Sequence, residues 1–368
     1  MTLHIEYNEI KSIVKQAFLS IGLQEKKAER CAEIHIENNA AGVESHGLNR
    51  IPRFAEYVRK GWVDIHADPL LIRRKGVVEN YDGQLGIGVL NADYCMNRAI
   101  ELAKENGIGC VALKNTTHWM RGGYYAWQAA KAGVIGICWT NTESCMPMWG
   151  SKTPGVGNNP FCIAIPRKKG PVVLDMAMSQ YSYGKIGSYR MQGKELPFPG
   201  GFDSEGRLTS DPSEIEKSGR ILPIGYWKGS GMAIALDLAA AAMANGKTGS
   251  DLDSENRGSC TGCCQIFIAY DPCLFGDEEE IQMKWDARVA AADAGEPVSS
   301  TAGVTCPGER TSAVYASNMK NGIPVEDSVW EQVKTLASGS LDVSDISSVC
   351  IQTSLGGGSD KNPDSART

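Results

Sequence analysis

Apolar residues recur at helical spacing from the start of the chain. Ile10, Ile13, Val14, Ala17, Phe18 and Ile21 share one face, with Asn8 as the expected cap and Gly22 as the stop. A second helical run covers about 25–40. After the polar stretch GVESHGLNR (42–50), a third run places Ile51, Phe54, Ala55 and Val58 on one face before Gly61. The N-terminal part therefore reads as a helical unit. From about residue 77 the period changes: VVENYDG reads as strand and turn, 91–106 as a helix stopped by Gly107, and CVALKN as another strand. The short apolar runs GVIGICWTN, PFCIAIP and PVVLDMA suit strands covered on at least one face. Gly, Pro and charge break the pattern over 186–220, which reads as a long surface excursion. Residues 229–245 form a strongly apolar helix, and QIFIAYDP is a later strand. The Ser-, Gly- and Asp-rich end after 337 lacks a core-forming pattern and is expected to be a disordered tail. No internal repeat is found. The fold class that follows is α/β (α+β), with one mixed sheet.

Length and charge narrow the partners. A chain of 368 residues exceeds the usual single core, so one large or two intimately joined domains are expected. A net charge of -6 disfavours phosphate backbones and anionic lipid, so neither nucleic acid nor membrane is expected as a partner. No apolar run approaches the roughly 20 residues that span a bilayer. The opening MTLHIEYNEIKSIVKQ lacks a basic region followed by an apolar core, and a cytoplasmic location is expected. The 12 cysteines then read as reduced. Cys260, Cys263 and Cys264 make C-x-x-C-C, yet no second pair completes four ligands, so no metal is expected.

The acid–base inventory is short: His4, His35, His46, His66 and His118. His46 lies in the polar stretch between helices, and His118 lies in NTTHWMRGG (115–123), just past an apolar strand. Reduction of a ketone by a nicotinamide needs a proton donor, a grip on an anionic substrate and a diphosphate site. His46 or His118 could supply the first, and Arg50 or Arg121 the second. Gly107-Ile-Gly109 follows a helix and precedes a strand, the reverse of a Rossmann fingerprint. A better diphosphate candidate is YWKGSG (226–231), where a helix start, glycines and Lys228 would face an anion. H-E-x-x-H, G-x-S-x-G and Walker A motifs are absent from the sequence.

The strings Ser45-His46-Gly47 with Arg50, NTTHWMRGG, GICWTNTES, GNNP, VVLDMAMS, ILPIGYWKGSGMAIALD, QIFIAY and CPGER occur in one order. Together they resemble the type 2 malate/L-lactate dehydrogenase family over about residues 3–337. The resemblance implies a non-Rossmann NAD-binding fold, with a helical domain built from both chain ends (1–76 with 302–337) and a mixed-sheet cofactor domain (77–301), leaving 338–368 as tail. It implies a homodimer, NAD as cofactor with NADH preferred and NADPH admissible, and a small keto acid as substrate. Within the family it implies reduction of the keto group of 2,3-diketo-L-gulonate to 3-dehydro-L-gulonate. Sibling substrates are ureidoglycolate, malate or lactate, and a catalytically idle binding protein of the same fold is the alternative from another class. The proton donor falls by motif on His46, with Ser45 and Arg50 beside it; in related ureidoglycolate dehydrogenases the general base would fall on His118. His46 is ranked first. Cofactor contacts are implied at Pro171, Val172, Val173, Leu174, Asp175, Met176 and Ala177, at Trp227 and Lys228, and at Gly308, Glu309 and Arg310. Two features depart from the pattern: PGER stands where PGHE is expected, and the cysteine cluster is unexplained.

Overall fold

A computed structural model describes residues 2–298 and 303–339. Seven strands form the main sheet, in the spatial order Leu70–Lys75, Val78–Asp82, Ile108–Thr116, Cys263–Tyr270, Ile135–Thr140, Phe161–Ile165 and Val172–Met176. Only Val78–Asp82 and Ile108–Thr116 run parallel; the other neighbours are antiparallel. The sheet is mixed, as expected.

Alternation along the strands explains why helices cover both faces. Val111, Leu113, Phe267 and Ala269 turn to one side, where helices Gly88–Asn106 and Gly122–Lys131 pack through Ala92, Met96, Tyr125 and Ala129. Ala112, Cys264 and Ile266 turn to the other, against Ala233, Leu236 and Ala240 of helix Trp227–Ala244. That helix is pinned by polar bonds as well. Asn141 Nδ2 donates to Asp237 and to the Lys247 carbonyl, while Asn141 Oδ1 accepts the Cys264 amide. Asn159 holds the Thr142 amide and the Ala233 carbonyl. The TNTES and GNNP strings are therefore scaffold: buried amides wiring the sheet to its covering helix.

The two chain ends meet. Strand Thr2–Ile5 pairs antiparallel with Ile323–Glu326, so that Ile5 faces Ile323. Val14 and Phe18 of helix Tyr7–Ser20 share a core with Ile34 and Ile36 of Glu25–Ala40 and with Trp330 and Val333 of Asp327–Ala337.

Several expectations need correction. The first helix is capped at Glu6, with Asn8 inside its first turn. The sheet begins before residue 77, because Leu70–Lys75 is already its edge strand; all six residues are exposed, which removes the alternation that marks a half-buried strand. The 186–220 stretch is more than surface. It holds most of helix Tyr183–Met191 and all of Pro212–Ser218, and it sends Ile186, Leu196 and Ile215 into the core with Trp139. Helix Glu278–Asp293, unforeseen because only Val289 is buried along it, is tied to the sheet side by Arg167–Asp286. Gly107 and Asn245 end their helices in the left-handed region, as the stops require. The expected tail lies outside the described residues from 340 onward.

Candidate active site

Two asparagines at the end of helix Glu25–Ala40 shape the His46 segment. Asn39 Oδ1 accepts the Leu48 amide, and Asn38 Nδ2 donates to the His46 carbonyl. A Cβ on Gly47 would lie 1.7 Å from Asn39 Oδ1, so the glycine of Ser-His-Gly is required for this close approach. Arg50 closes the turn through Nε, 2.7 Å from the Ser45 carbonyl. The result is a tight double turn, 44–46 and 48–50, that presents His46 beside helix Ile51–Arg59.

His118 arrives from strand Ile108–Thr116. Buried Trp119 packs on Tyr125 and Phe267 and fixes the loop. The two imidazoles then stack, with centroids 5.7 Å apart and planes 30° apart. Their partners differ. His46 Nδ1 meets the Ser45 hydroxyl at 2.9 Å, a group that can donate or accept. His118 Nδ1 accepts the backbone N–H of Met120 at 2.8 Å. That contact leaves the His118 proton on Nε2 and makes protonation at Nδ1 costly, because two N–H groups would then face each other. Both pKa values lie below the usual imidazole range. Burial is the first cause for each and the Arg50 charge the next, offset at His46 by Asp175.

Asp175 is reached from the edge strand Val172–Met176. Its carboxylate accepts from Arg121 Nε at 2.7 Å and from the Cys162 thiol at 3.1 Å. A Cβ on Gly123 would lie 2.2 Å from Asp175 Oδ2, so the Gly-Gly after Arg121 admits this carboxylate to the helix start. Arg121 is thus buried and ion-paired.

The residues 171–177, 227–228 and 308–310, far apart in sequence, lie along one rail. Val173 donates its amide to the Pro307 carbonyl at 2.9 Å, and a Cβ on Gly308 would sit 3.0 Å from the Val173 nitrogen. At the other end Ile224 donates to the Met178 carbonyl at 2.8 Å, which leads into the start of helix Trp227–Ala244. Trp227 and Lys228 are exposed there, and Tyr226 takes φ 62 to make the turn. Lys228 has no ion pair among the described residues. Glu309 accepts the Cys306 amide, and Arg310 is exposed.

A sequence model of the malate/L-lactate dehydrogenase family matches residues 5–334. The chain is 41% identical over 333 residues to the 2,3-diketo-L-gulonate reductases of Shigella boydii serotype 4 (strain Sb227) and Escherichia coli (strain K12 / DH10B), covering 90% of this chain and 99% of each relative. The chain belongs to the malate/L-lactate dehydrogenase family. Solved structures agree: the sulfolactate dehydrogenase of Methanocaldococcus jannaschii superposes with a TM-score of 0.84 at 28% identity, covering 93% of this chain and 99% of that one. The malate dehydrogenase of Pyrococcus horikoshii OT3 superposes with a TM-score of 0.83 at 26% identity, covering 92% and 95%.

As a member of this dehydrogenase family the chain is an oxidoreductase that uses a nicotinamide cofactor. No helix among the described residues is long and apolar enough to cross a membrane. In the cysteine cluster, Cys263 and Cys264 open strand Cys263–Tyr270, and Cys260 lies buried with Leu252 and Cys263. Among the described residues the three candidate ligand side chains within reach of one ion are instead Asp293, Cys306 and Glu309, which are not buried. The sequence reading missed Arg53 and Tyr57, which line a small cavity with Arg50 and His118. Their spacing was the available signal, since 50, 53 and 57 follow the i, i+3, i+7 rule of one helix face.

Proposed function

We propose that this enzyme reduces the keto group of a small, sugar-derived keto acid, 2,3-diketo-L-gulonate, with NADH, and that His46 donates the proton. The observation that carries the donor assignment is the contrast in ring partners. Of the two stacked rings, His46 is the one whose Nδ1 partner, the Ser45 hydroxyl, accommodates both the neutral ring and the imidazolium. Arg50, beside it, holds the substrate acid group and keeps the keto carbon in line. When bound, the nicotinamide supplies the hydride. The strand residues Pro171 to Ala177, the cradle at Gly308 with Glu309 and Arg310, and the helix start at Trp227 and Lys228 are the residues that would hold it. The exposed lysine at a helix start, with Gly231 where a Cβ would meet nothing within 4 Å, fits a diphosphate-bearing ligand.

The substrate rests on the 41% identity to the diketogulonate reductases over nearly their whole length. Siblings named for malate and sulfolactate among the structural neighbours favour the same chemistry on other acids. A cytoplasmic homodimer is part of the proposal. Supporting it, helix Trp227–Ala244 turns Met232, Ala235, Leu238, Ala242 and Met243 outward, an apolar face without charge.

The test is NADH and NADPH consumption, read at the nicotinamide absorbance, against diketogulonate, oxaloacetate, pyruvate and the keto form of ureidoglycolate. The subunit number is read by sedimentation of the same preparation. The expected result is the highest kcat/KM for diketogulonate with NADH. Faster turnover of another acid by more than tenfold moves the enzyme to a sibling activity, and no turnover of any acid sinks the reading.

A further inference from the structure

Beside His118 lies a cavity of about 30 Å³ between helix Ile51–Arg59, the loop after strand Ile108–Thr116 and residues 256–262. Phe54, Val63 and Met120 form its apolar side. Its polar side is rich in donors. Arg53 is half-buried there, with no hydrogen bond or ion pair among the described residues. Tyr57 accepts the Ser259 amide at 2.9 Å, so its own hydroxyl hydrogen is left to donate. A Cβ on Gly258 would lie 2.3 Å from that hydroxyl, which shows how closely the loop is pressed onto it. His118 carries its proton on Nε2, because Nδ1 is taken by Met120. A guanidinium also offers donors only. The best complement to such a wall is a group of acceptors with negative charge, and the volume admits about two water-sized atoms.

We infer that this cavity seats the substrate's carboxylate, and that Arg53, rather than Arg121, is the second guanidinium that selects for an acid. Arg121 is the weaker candidate because Asp175, 2.7 Å away, already offsets its charge. A half-buried guanidinium without a counter-charge gains more from an incoming anion than one already paired. The inference rests on the keto-acid reading and adds where the acid group goes.

The experiment compares wild type, Arg53→Met, Arg53→Lys and Arg121→Met. Binding of the keto acid and of its methyl ester is followed by calorimetry, KM and kcat by NADH consumption, and NADH affinity by fluorescence. Arg53→Met is expected to weaken acid binding and raise KM by about 10²-fold, with the ester barely affected and NADH affinity unchanged. Arg53→Lys should recover part of the loss, which a merely structural role would not predict. An unchanged KM in Arg53→Met, an equal loss for acid and ester, or a larger acid-specific loss in Arg121→Met would overturn the assignment while leaving the reductase reading intact. A wild type that binds and reduces no keto acid would overturn both.

Discussion

Residues 45–50 and 115–121 look alike in sequence: each sets a histidine in a polar stretch and follows it with an arginine three or four places on. Folding makes them unlike. The first segment gives its imidazole a side-chain partner, Ser45, and the second gives its imidazole a backbone partner, the Met120 amide. A hydroxyl reorients with the protonation state of its neighbour, whereas a backbone N–H cannot. The arginines diverge in the same way: Arg50 bonds a carbonyl, and Arg121 is ion-paired to Asp175. On the proposed reading, one segment moves a proton and the other holds a fixed donor against the substrate.

The comparison breaks most directly by removing each ring. His46→Asn is expected to lower kcat by roughly 10²- to 10⁴-fold with NADH affinity nearly intact, since a proton donor is lost and a polar group of similar width remains. His118→Asn should act mainly on KM, by roughly tenfold, because it removes one hydrogen bond to the substrate. Steady-state kinetics of the two variants decide. The reverse pattern, a collapsed kcat in His118→Asn and a modest change in His46→Asn, exchanges the roles.

The sequence made much of this visible, with limits that are physical. The helices Tyr7–Ser20 and Trp227–Ala244 and the strands Ile108–Thr116 and Cys263–Tyr270 were legible because one face or both are apolar. Strand Leu70–Lys75 and helix Glu278–Asp293 were not, since one is wholly exposed and the other buries a single residue. Both histidines stood out as rare groups in polar stretches. Their tautomers did not, because the hydrogen bond from Met120 N–H to His118 Nδ1 is a product of the local backbone path, which residue types alone do not reveal. Arg53 was overlooked because an arginine on a surface helix resembles any solvated charge; what sets it apart is a cavity wall made by residues some 60 to 200 positions away.

A smaller effect, tenfold per pH unit, sharpens the same contrast. As the proposed donor, His46 must start protonated in reduction. Its pKa in the free enzyme is depressed by burial and by Arg50, so the protonated form is lost as pH rises past a value below the usual 6.5. An anionic substrate beside Arg50 offsets that charge and raises the pKa in the complex. The profile of kcat/KM for reduction should therefore fall at a lower pH than that of kcat, and oxidation of the hydroxy acid should instead gain as pH rises. Profiles measured in both directions check this. Reduction that speeds up with pH, or the same limb persisting in His46→Asn, would exclude His46 as its origin.

The finest test is the hydroxyl that distinguishes the two rings. When His46 is an imidazolium its Nδ1–H needs an acceptor, and Ser45 Oγ at 2.9 Å is that acceptor. When the proton has left for the substrate, the same hydroxyl can turn and donate to Nδ1. Ser45→Ala takes this adjustable partner away, and water can replace part of the loss. A hydrogen bond to a charged group contributes about 1.5–3 kcal/mol before such compensation. The expected result is a fall in kcat of roughly tenfold, little change in KM, and an acidward shift of the kcat limb by up to about one pH unit, because the protonated ring is the form that loses its partner. The corresponding partner of His118 is a main-chain amide that a side-chain substitution leaves in place. A Ser45→Ala enzyme with wild-type kcat and an unmoved limb would mean that the serine is only a neighbour, and that the choice between the histidines must rest on something other than their Nδ1 partners.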